Sequence, residues 1–157
     1  MPAYYDISTN FTSNASAGAV STSPHVRLLT HTTNGAQIKG LYAGARSGTA
    51  GGGQIRLITA STAMSSCGTG FTPTKRNPSS AVAVTSAATA CTCTGATTVV
   101  RTSVGVAQTG GMGGWVAIEP DAAVLLLPAA GANGNAEIES FFNASSIAFD
   151  LTVEFSE

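Results

Sequence analysis

The sequence predicts an all-β protein built as an antiparallel β-sandwich of about eight strands. No long segment repeats apolar residues at the helical period, and the chain breaks instead into short β-type runs bounded by Gly, Pro, Asn or Ser. The most regular run, SIAFDLTVEFS at residues 146–156, alternates apolar and polar residues throughout. Such alternation is typical of an antiparallel strand with one buried face. Short strands separated by turn residues indicate a sandwich or barrel rather than an α/β fold.

The same pattern predicts the other strands. GWVAIEP and AAVLLLP are interpreted as two strands joined by a tight turn, because Pro120 and Asp121 are favoured turn residues. In AEIESFF, Ile138 is expected to point inward and the flanking glutamates outward. The predicted strands cover residues 25–31, 35–44, 53–61, 80–86, 97–108, 114–120, 122–128, 136–142 and 146–156.

The organisation along the chain predicts an arm and one domain. Residues 1–24 are rich in Asn, Ser and Thr with weak alternation, and they are expected to form a polar N-terminal arm. Residues 25–157 are expected to form a single domain, which is the default for a chain of 157 residues. The longest predicted loop covers residues 67–80, and the glycine-rich residues 44–53 are expected to form a hairpin or bulged loop.

Composition favours a protein that lives in an assembly. Charged residues make up 10% of the chain, against about 25% in an ordinary soluble protein. The surface must therefore be largely Thr, Ser, Gly, Ala and Asn, which is easily desolvated against another protein. The net charge of −1 shows no basic excess, so nucleic acid is not an expected partner.

Charge is distributed unevenly along the sequence. All seven basic residues lie between Arg27 and Arg101, and seven of the eight acids lie between Glu119 and Glu157. Either strands from the two parts are neighbours and their charges mix, or a basic and an acidic patch meet between subunits.

No catalytic or metal-binding motif is recognisable. His25 and His31 lie at opposite ends of one predicted strand, about 20 Å apart at about 3.3 Å per residue, and cannot share a metal within one chain. No pair of carboxylates is placed for acid/base chemistry. The remaining possibility is a calcium-binding cluster of Glu119, Asp121, Glu137 and Glu139. No enzyme activity, cofactor or metal is expected.

Trp115 is the only tryptophan, and it follows the glycine-rich TGGMGG. We expect it to pack in the core or between subunits, with a ligand-stacking platform as the alternative. The N-terminus lacks the basic and apolar segments of a signal peptide, and the apolar stretch that contains Pro128 is too short to span a bilayer, so no membrane partner is expected.

The C-terminal half resembles small all-β virion proteins of tailed bacteriophages. The residues that carry the resemblance are GGWVAIEPDAAVLLLPAAGANGNAEIESF and the closing SIAFDLTVEFSE. The resemblance implies a jelly-roll-like sandwich that decorates or cements a capsid as a homotrimer or homodimer. Its partner would be the major capsid protein and its location the virion surface, after synthesis in the bacterial cytoplasm. The alternative is a receptor- or glycan-binding jelly-roll module of a fibre or tail.

Three cysteines leave two interpretations open. Cys67 could form a disulfide with Cys91 or Cys93, closing a loop of about 25 residues at a stabilisation of about 3 kcal/mol. Alternatively the thiols are free, with Cys91 and Cys93 on one face of a strand as small apolar residues. A Cys-x-Cys pair and one distant cysteine do not match the usual spacing of a zinc site.

Alkylation followed by intact-mass measurement distinguishes the two states. With a bridge to Cys67, the unfolded protein takes up one alkyl group without reductant and three with it. Three additions in both samples would exclude the disulfide.

Overall fold

The computed structural model describes residues 2–12, 19–20, 26–31, 33–48, 53–60, 70–89, 98–106, 112–117, 123–126, 135–142 and 147–157. All its regular elements there are strands: β1 (Tyr4–Thr12), β2 (Ala19–Val20), β3 (Val26–Leu29), β4 (Ala36–Gly48), β5 (Gly53–Ala60), β6 (Gly70–Phe71), β7 (Thr74–Lys75), β8 (Ser86–Thr89), β9 (Thr98–Val106), β10 (Met112–Val116), β11 (Val124–Leu126), β12 (Asn135–Phe142) and β13 (Ile147–Ser156). This part of the chain contains no helix with the length and hydropathy that a membrane crossing needs.

The strands form two antiparallel sheets, which confirms the predicted all-β class. Sheet A has the order β10–β4–β13–β1–β7, and β11 also pairs with β4. Sheet B has the order β6–β8–β3–β12–β5–β9, and β2 also pairs with β12. Inward side chains of both sheets form one apolar cluster, so the core of the sandwich lies between them.

Strand pairing joins the two halves of the chain in a nested pattern. β1 pairs with β13 in sheet A, and β3 pairs with β12 in sheet B. Further in, β4 pairs with β10 in sheet A, and β5 pairs with β9 in sheet B. Strands of the first half therefore lie beside strands of the second half, in alternate sheets.

The alternation predicted for the last strand is confirmed. Phe149, Leu151, Val153 and Phe155 are each at most 1% exposed, while Asp150 is exposed and Thr152 and Glu154 are half-buried on the other face. Burial of a large apolar side chain stabilises the fold by about 1.5–3 kcal/mol. The ring of Phe155 also stacks on Tyr5 at 5.4 Å between centroids. β13 is thus a major source of the core.

Residues 4–12 do not form the predicted arm. They form β1, which pairs with β13 over its whole length, and Tyr5 and Ile7 are 2% and 1% exposed. The prediction of an N-terminal arm over residues 1–24 is therefore wrong for Tyr4–Thr12. Asp6, Ser8 and Asn10 occupy one face of this strand, and Thr9 interrupts the apolar series on the other face, so the segment resembles a polar arm in sequence.

The two strands predicted on either side of Pro120 and Asp121 both pair with β4. β10 pairs with Gly40–Gly44 of β4, and β11 pairs with Ala36–Ile38 of the same strand. Both are antiparallel to β4, so they run in the same direction, one after the other along one edge. The intervening residues 118–122 lie outside the described part of the chain.

The segment between β7 and β8 also differs from its prediction. A strand was expected at residues 80–86, but β8 begins only at Ser86, and Val82 and Val84 are 59% and 46% exposed. This segment crosses from sheet A to sheet B. The carboxylate of Glu157 holds it by accepting hydrogen bonds from the Val84 N–H (2.7 Å), the Thr85 N–H (3.0 Å) and the Thr85 hydroxyl (2.7 Å).

The predicted loop at residues 67–80 contains two short strands. β6 pairs with β8 in sheet B, whereas β7 pairs with β1 in sheet A. A short strand leaves few unpaired backbone groups at a sheet edge. Residues 67–69 lie outside the described part of the chain.

Three β-bulges occur in the described ladders, and each has a basic residue as the extra residue. Opposite β13, the register of β4 skips Lys39 and Arg46. Opposite β5, the register of β9 skips Arg101, whose Nε donates a hydrogen bond to Thr59 Oγ1 at 2.7 Å. A bulge bends its strand and redirects the extra side chain.

The two sheets approach each other closely where β10 meets β9. A Cβ atom at Gly113 would overlap the carbonyl oxygen of Gly105 and lie 2.6 Å from Cγ1 of Val104. Glycine is therefore required at position 113 because the backbones of the two edge strands pack directly together.

Substitution of this glycine should destabilise the fold. We expect Gly113→Ala to lower the free energy of unfolding by about 2 kcal/mol, because the added methyl group forces the two edge strands apart. The matched control is Gly105→Ala, since a Cβ atom there has nothing within 4 Å and should change stability by less than about 0.5 kcal/mol. Urea denaturation measures both values, and equal stabilities would contradict the close approach.

Candidate functional site

The outward face of sheet A carries the densest set of described polar side chains. Strand alternation places Asp6 and Ser8 of β1 beside Glu154 and Thr152 of β13, in the register of that pair. The Ser8 and Thr152 hydroxyl oxygens are 3.1 Å apart. Because β4 lies on the other side of β13, Tyr42 joins the same face.

An ion cluster, here called the Arg76 cluster, consists of Asp6, Tyr42, Arg76 and Glu154. Nε of Arg76 donates to both carboxylate oxygens of Asp6, at 2.8 and 2.9 Å, and Nη2 donates to Oε1 of Glu154. The Tyr42 hydroxyl donates to Oε2 of Glu154 at 3.4 Å. The cluster ties the segment after β7 to three strands of sheet A.

The Arg76 cluster consists of ion pairs and hydrogen bonds that stabilise the fold. One guanidinium bridges the two carboxylates, and its hydrogen bond with Asp6 raises the pKa of Arg76 further above its usual value. Burial and the negative charge of Glu154 raise the pKa of Tyr42, which keeps the phenol protonated.

The ring of Tyr42 packs against the backbone of two neighbouring glycines. A Cβ atom at Gly114 would lie 2.9 Å from Cδ1 of the ring, and one at Gly40 would lie 3.0 Å from Cε2. The ring therefore covers the backbone at both positions, as an aromatic side chain does when it shields glycine in a sheet. The residue is half-buried.

Beside this ring lies a shallow groove, here called the Gly44 groove, with a volume of about 570 Å³. Its lining includes Gly44, which carries no side chain, and Gly114, which the ring of Tyr42 covers. Its polar residues are Thr152 and the ion pair Arg46–Asp150, with 3.1 Å between Nε and Oδ1. Tyr42 and Met112 supply the larger apolar surfaces.

Trp115 lies on the inward side of β10, opposite Leu41 of β4, and packs against the core cluster while partly buried. This position matches the packing role considered for it. The ring that lies across the outer surface belongs to Tyr42.

Several residues singled out in the sequence lie outside the described part of the chain. They are Cys67, Cys91, Cys93, His25, Glu119 and Asp121, and the side chains of Glu137 and Glu139 are likewise not described. The described residues therefore test neither of the two interpretations of the cysteines, nor the calcium-binding cluster. Among the described residues, no group of three or more His, Cys, Asp or Glu side chains could hold a metal ion.

The charges of the two halves mix within sheet A. Arg46 from the first half pairs with Asp150, and Arg76 pairs with Glu154. In sheet B, Glu137 and Glu139 stand opposite Arg27 and Arg56 respectively in the registers of β12 with β3 and with β5. These pairings correspond to the first of the two interpretations of the uneven charge.

Sequence reasoning did not identify Tyr42, Arg46, Asp150 or Arg76 as a group. One signal was present: Gly40, Tyr42 and Gly44 alternate at a spacing of two, which places a tyrosine between glycines on one strand face. A large ring flanked in this way has room to lie on the sheet.

Alkaline pH should weaken the fold through two tyrosines. Burial, and secondarily the charge of Glu157, raises the pKa of Tyr5, and burial raises that of Tyr42. A raised pKa gives stability that is complete below about pH 10, the pKa in the unfolded chain, and is lost as the pH rises through the folded value. The urea midpoint should therefore fall above pH 10, and it should fall less in the Tyr5→Phe, Tyr42→Phe double variant. An equal pH dependence in both proteins would contradict this assignment.

The geometry of the described residues thus identifies two features on one face of sheet A, a structural ion cluster and an open groove. No family model, curated protein or solved structure matches the chain. Inferences about its function therefore depend on its own residues.

Proposed function

We propose that the chain is a non-enzymatic structural protein of a virus particle. It decorates and stabilises the capsid of a tailed bacteriophage by binding the shell as a homo-oligomer, a homotrimer or a homodimer. The observation that carries this proposal is the order of the strands, and the composition of the surface supports it.

The order of the strands supports a jelly roll. The four nested pairs contain eight strands, which in chain order are β1, β3, β4, β5, β9, β10, β12 and β13. When these eight strands are numbered in chain order, they lie in the order 1-8-3-6 in sheet A and 2-7-4-5 in sheet B. A long hairpin rolled into two sheets gives this order. Jelly rolls are common in viral capsid proteins and also occur in lectins and cupins.

A metal-dependent enzyme of the cupin type would be an alternative function for a jelly roll. It needs several histidines that converge on a metal inside the barrel. The chain has two histidines in total, and His31 is exposed and hydrogen-bonded to Thr33, with 2.9 Å between Nδ1 and Oγ1. This position favours a non-enzymatic role over a metal-dependent one.

The surface supports lasting contact with other proteins. Only 10% of the residues are charged, and several large apolar side chains are exposed. Met112 and Val116 lie on β10 at 87% and 48% exposure, and Tyr4, Val82 and Val84 are at least 45% exposed. Exposed apolar surface of this kind commonly marks sites of protein association. The partners in this proposal are further copies of the chain and the major capsid protein.

The test begins with particles of the virus whose genome encodes the chain. Purified particles should contain the chain in a fixed whole-number ratio to the major capsid protein, measured by quantitative mass spectrometry. Particles made without it should bind the purified protein and withstand higher temperature afterwards. Presence of the chain only in the infected-cell cytosol would overturn the proposal.

Surface variants make this test specific. Met112→Lys with Val116→Lys, and Val82→Lys with Val84→Lys, each place charge on an exposed apolar surface without touching the core. At least one pair should abolish particle binding while the thermal unfolding midpoint is retained. Ser103→Lys, at an exposed polar position of β9, serves as the control and should bind normally.

A further inference from the structure

The Gly44 groove has features of a ligand site that the proposed capsid role does not require. It is an open depression of about 570 Å³ on the outward face of sheet A, within the size range of small-molecule sites. The depression lies beside Gly44, which carries no side chain, whereas the ring of Tyr42 covers Gly114. An alanine at position 44 would place its Cβ 3.7 Å from Met112, an ordinary contact, so packing does not demand the glycine.

The polar end of the groove offers a donor and an acceptor side by side. Arg46 is the extra residue of a β-bulge, which brings its guanidinium next to Asp150, with Nε 3.1 Å from Oδ1. The side chains are 51% and 61% exposed. A guanidinium has five N–H donors and a carboxylate about four acceptor positions, so one ion pair leaves most of this capacity for a ligand.

The other side of the groove is apolar. Tyr42 packs against glycine backbone and Met112 is 87% exposed, so a ligand meets an aromatic ring and a thioether there. Thr152 adds a hydroxyl group between the apolar and polar ends. An aromatic ring that is already immobilised loses little conformational entropy when a ligand packs on it.

We propose that the Gly44 groove binds a neutral sugar unit of a glycan. A pyranose has an apolar C–H face that fits Tyr42, and hydroxyl groups that both donate and accept, which fit Arg46 and Asp150 together. The opposite charges of this pair cancel, so the groove favours a neutral ligand over an anionic one. Its shallow, open form suits a unit that remains attached to a longer chain.

The binding test uses the purified protein and four defined probes. These are the methyl glycosides of glucose, galactose, mannose and N-acetylglucosamine, titrated to millimolar concentrations in ¹H–¹⁵N NMR spectra. At least one probe should shift the amide signals of Gly44, Gly114 and Thr152 with saturation. Absence of shifts with all four probes, or shifts confined to other residues, would overturn the proposal, whatever the outcome of the capsid experiments.

Variants separate loss of the site from loss of the fold. Gly44→Val fills the groove and should weaken binding by at least about tenfold, equivalent to about 1.4 kcal/mol. Its thermal midpoint should not fall, because valine suits a strand better than glycine does. Gly105→Val is the matched control on β9, where a Cβ has nothing within 4 Å, and should bind like the parent protein.

A second pair of variants tests the polar end. Arg46→Gln and Asp150→Asn should each weaken binding without shifting the signals of buried residues. If the groove instead receives a second copy of the chain, Gly44→Val would change the mass of the protein in solution and leave the sugar titration unchanged. That result would overturn the sugar assignment.

Discussion

The structure depends on pairing of β13 along both of its edges. β1 lies on one side of this strand and β4 on the other, so one segment of strictly alternating sequence connects the middle of sheet A. Its inward residues supply two phenylalanines to the core, and its outward residues hold the partners of Arg46 and Arg76. A one-residue slip of β13 would exchange these two faces. The core, the Arg76 cluster and the Gly44 groove therefore share one register.

Local pattern was sufficient where a strand has one apolar and one polar face. For β13 the sequence alone predicted the strand and its buried face, because large apolar residues occupy every second position from Ile147 to Phe155. Most other long strands were also predicted within a few residues. The nested pairing explains the uneven charge along the chain, since basic strands of the first half lie beside acidic strands of the second.

Local pattern failed where long-range pairing decides the outcome. The apolar alternation of Tyr4–Thr12 is weak, and pairing with β13 over the whole length of the segment makes it a strand. The strands on either side of Pro120 and Asp121 are close in sequence, but both pair with β4 rather than with each other. The Gly44 groove requires Gly114 beside Tyr42 and a bulge at Arg46, and neither follows from residues close in sequence. The register between distant strands carries this information.

The nested arrangement also has a consequence for how the chain reaches its native state. In the outermost pair, Ser8 and Thr152 meet across a separation of 144 residues, whereas β5 and β9 are much closer in sequence. Loop-closure entropy favours early formation of the inner pairs, and a topology dominated by distant contacts folds slowly. Until β13 inserts, β1 and β4 each have an unpaired edge that can pair with another chain. Insertion of β13 covers both of these edges. From that point on, aggregation through them no longer competes with folding.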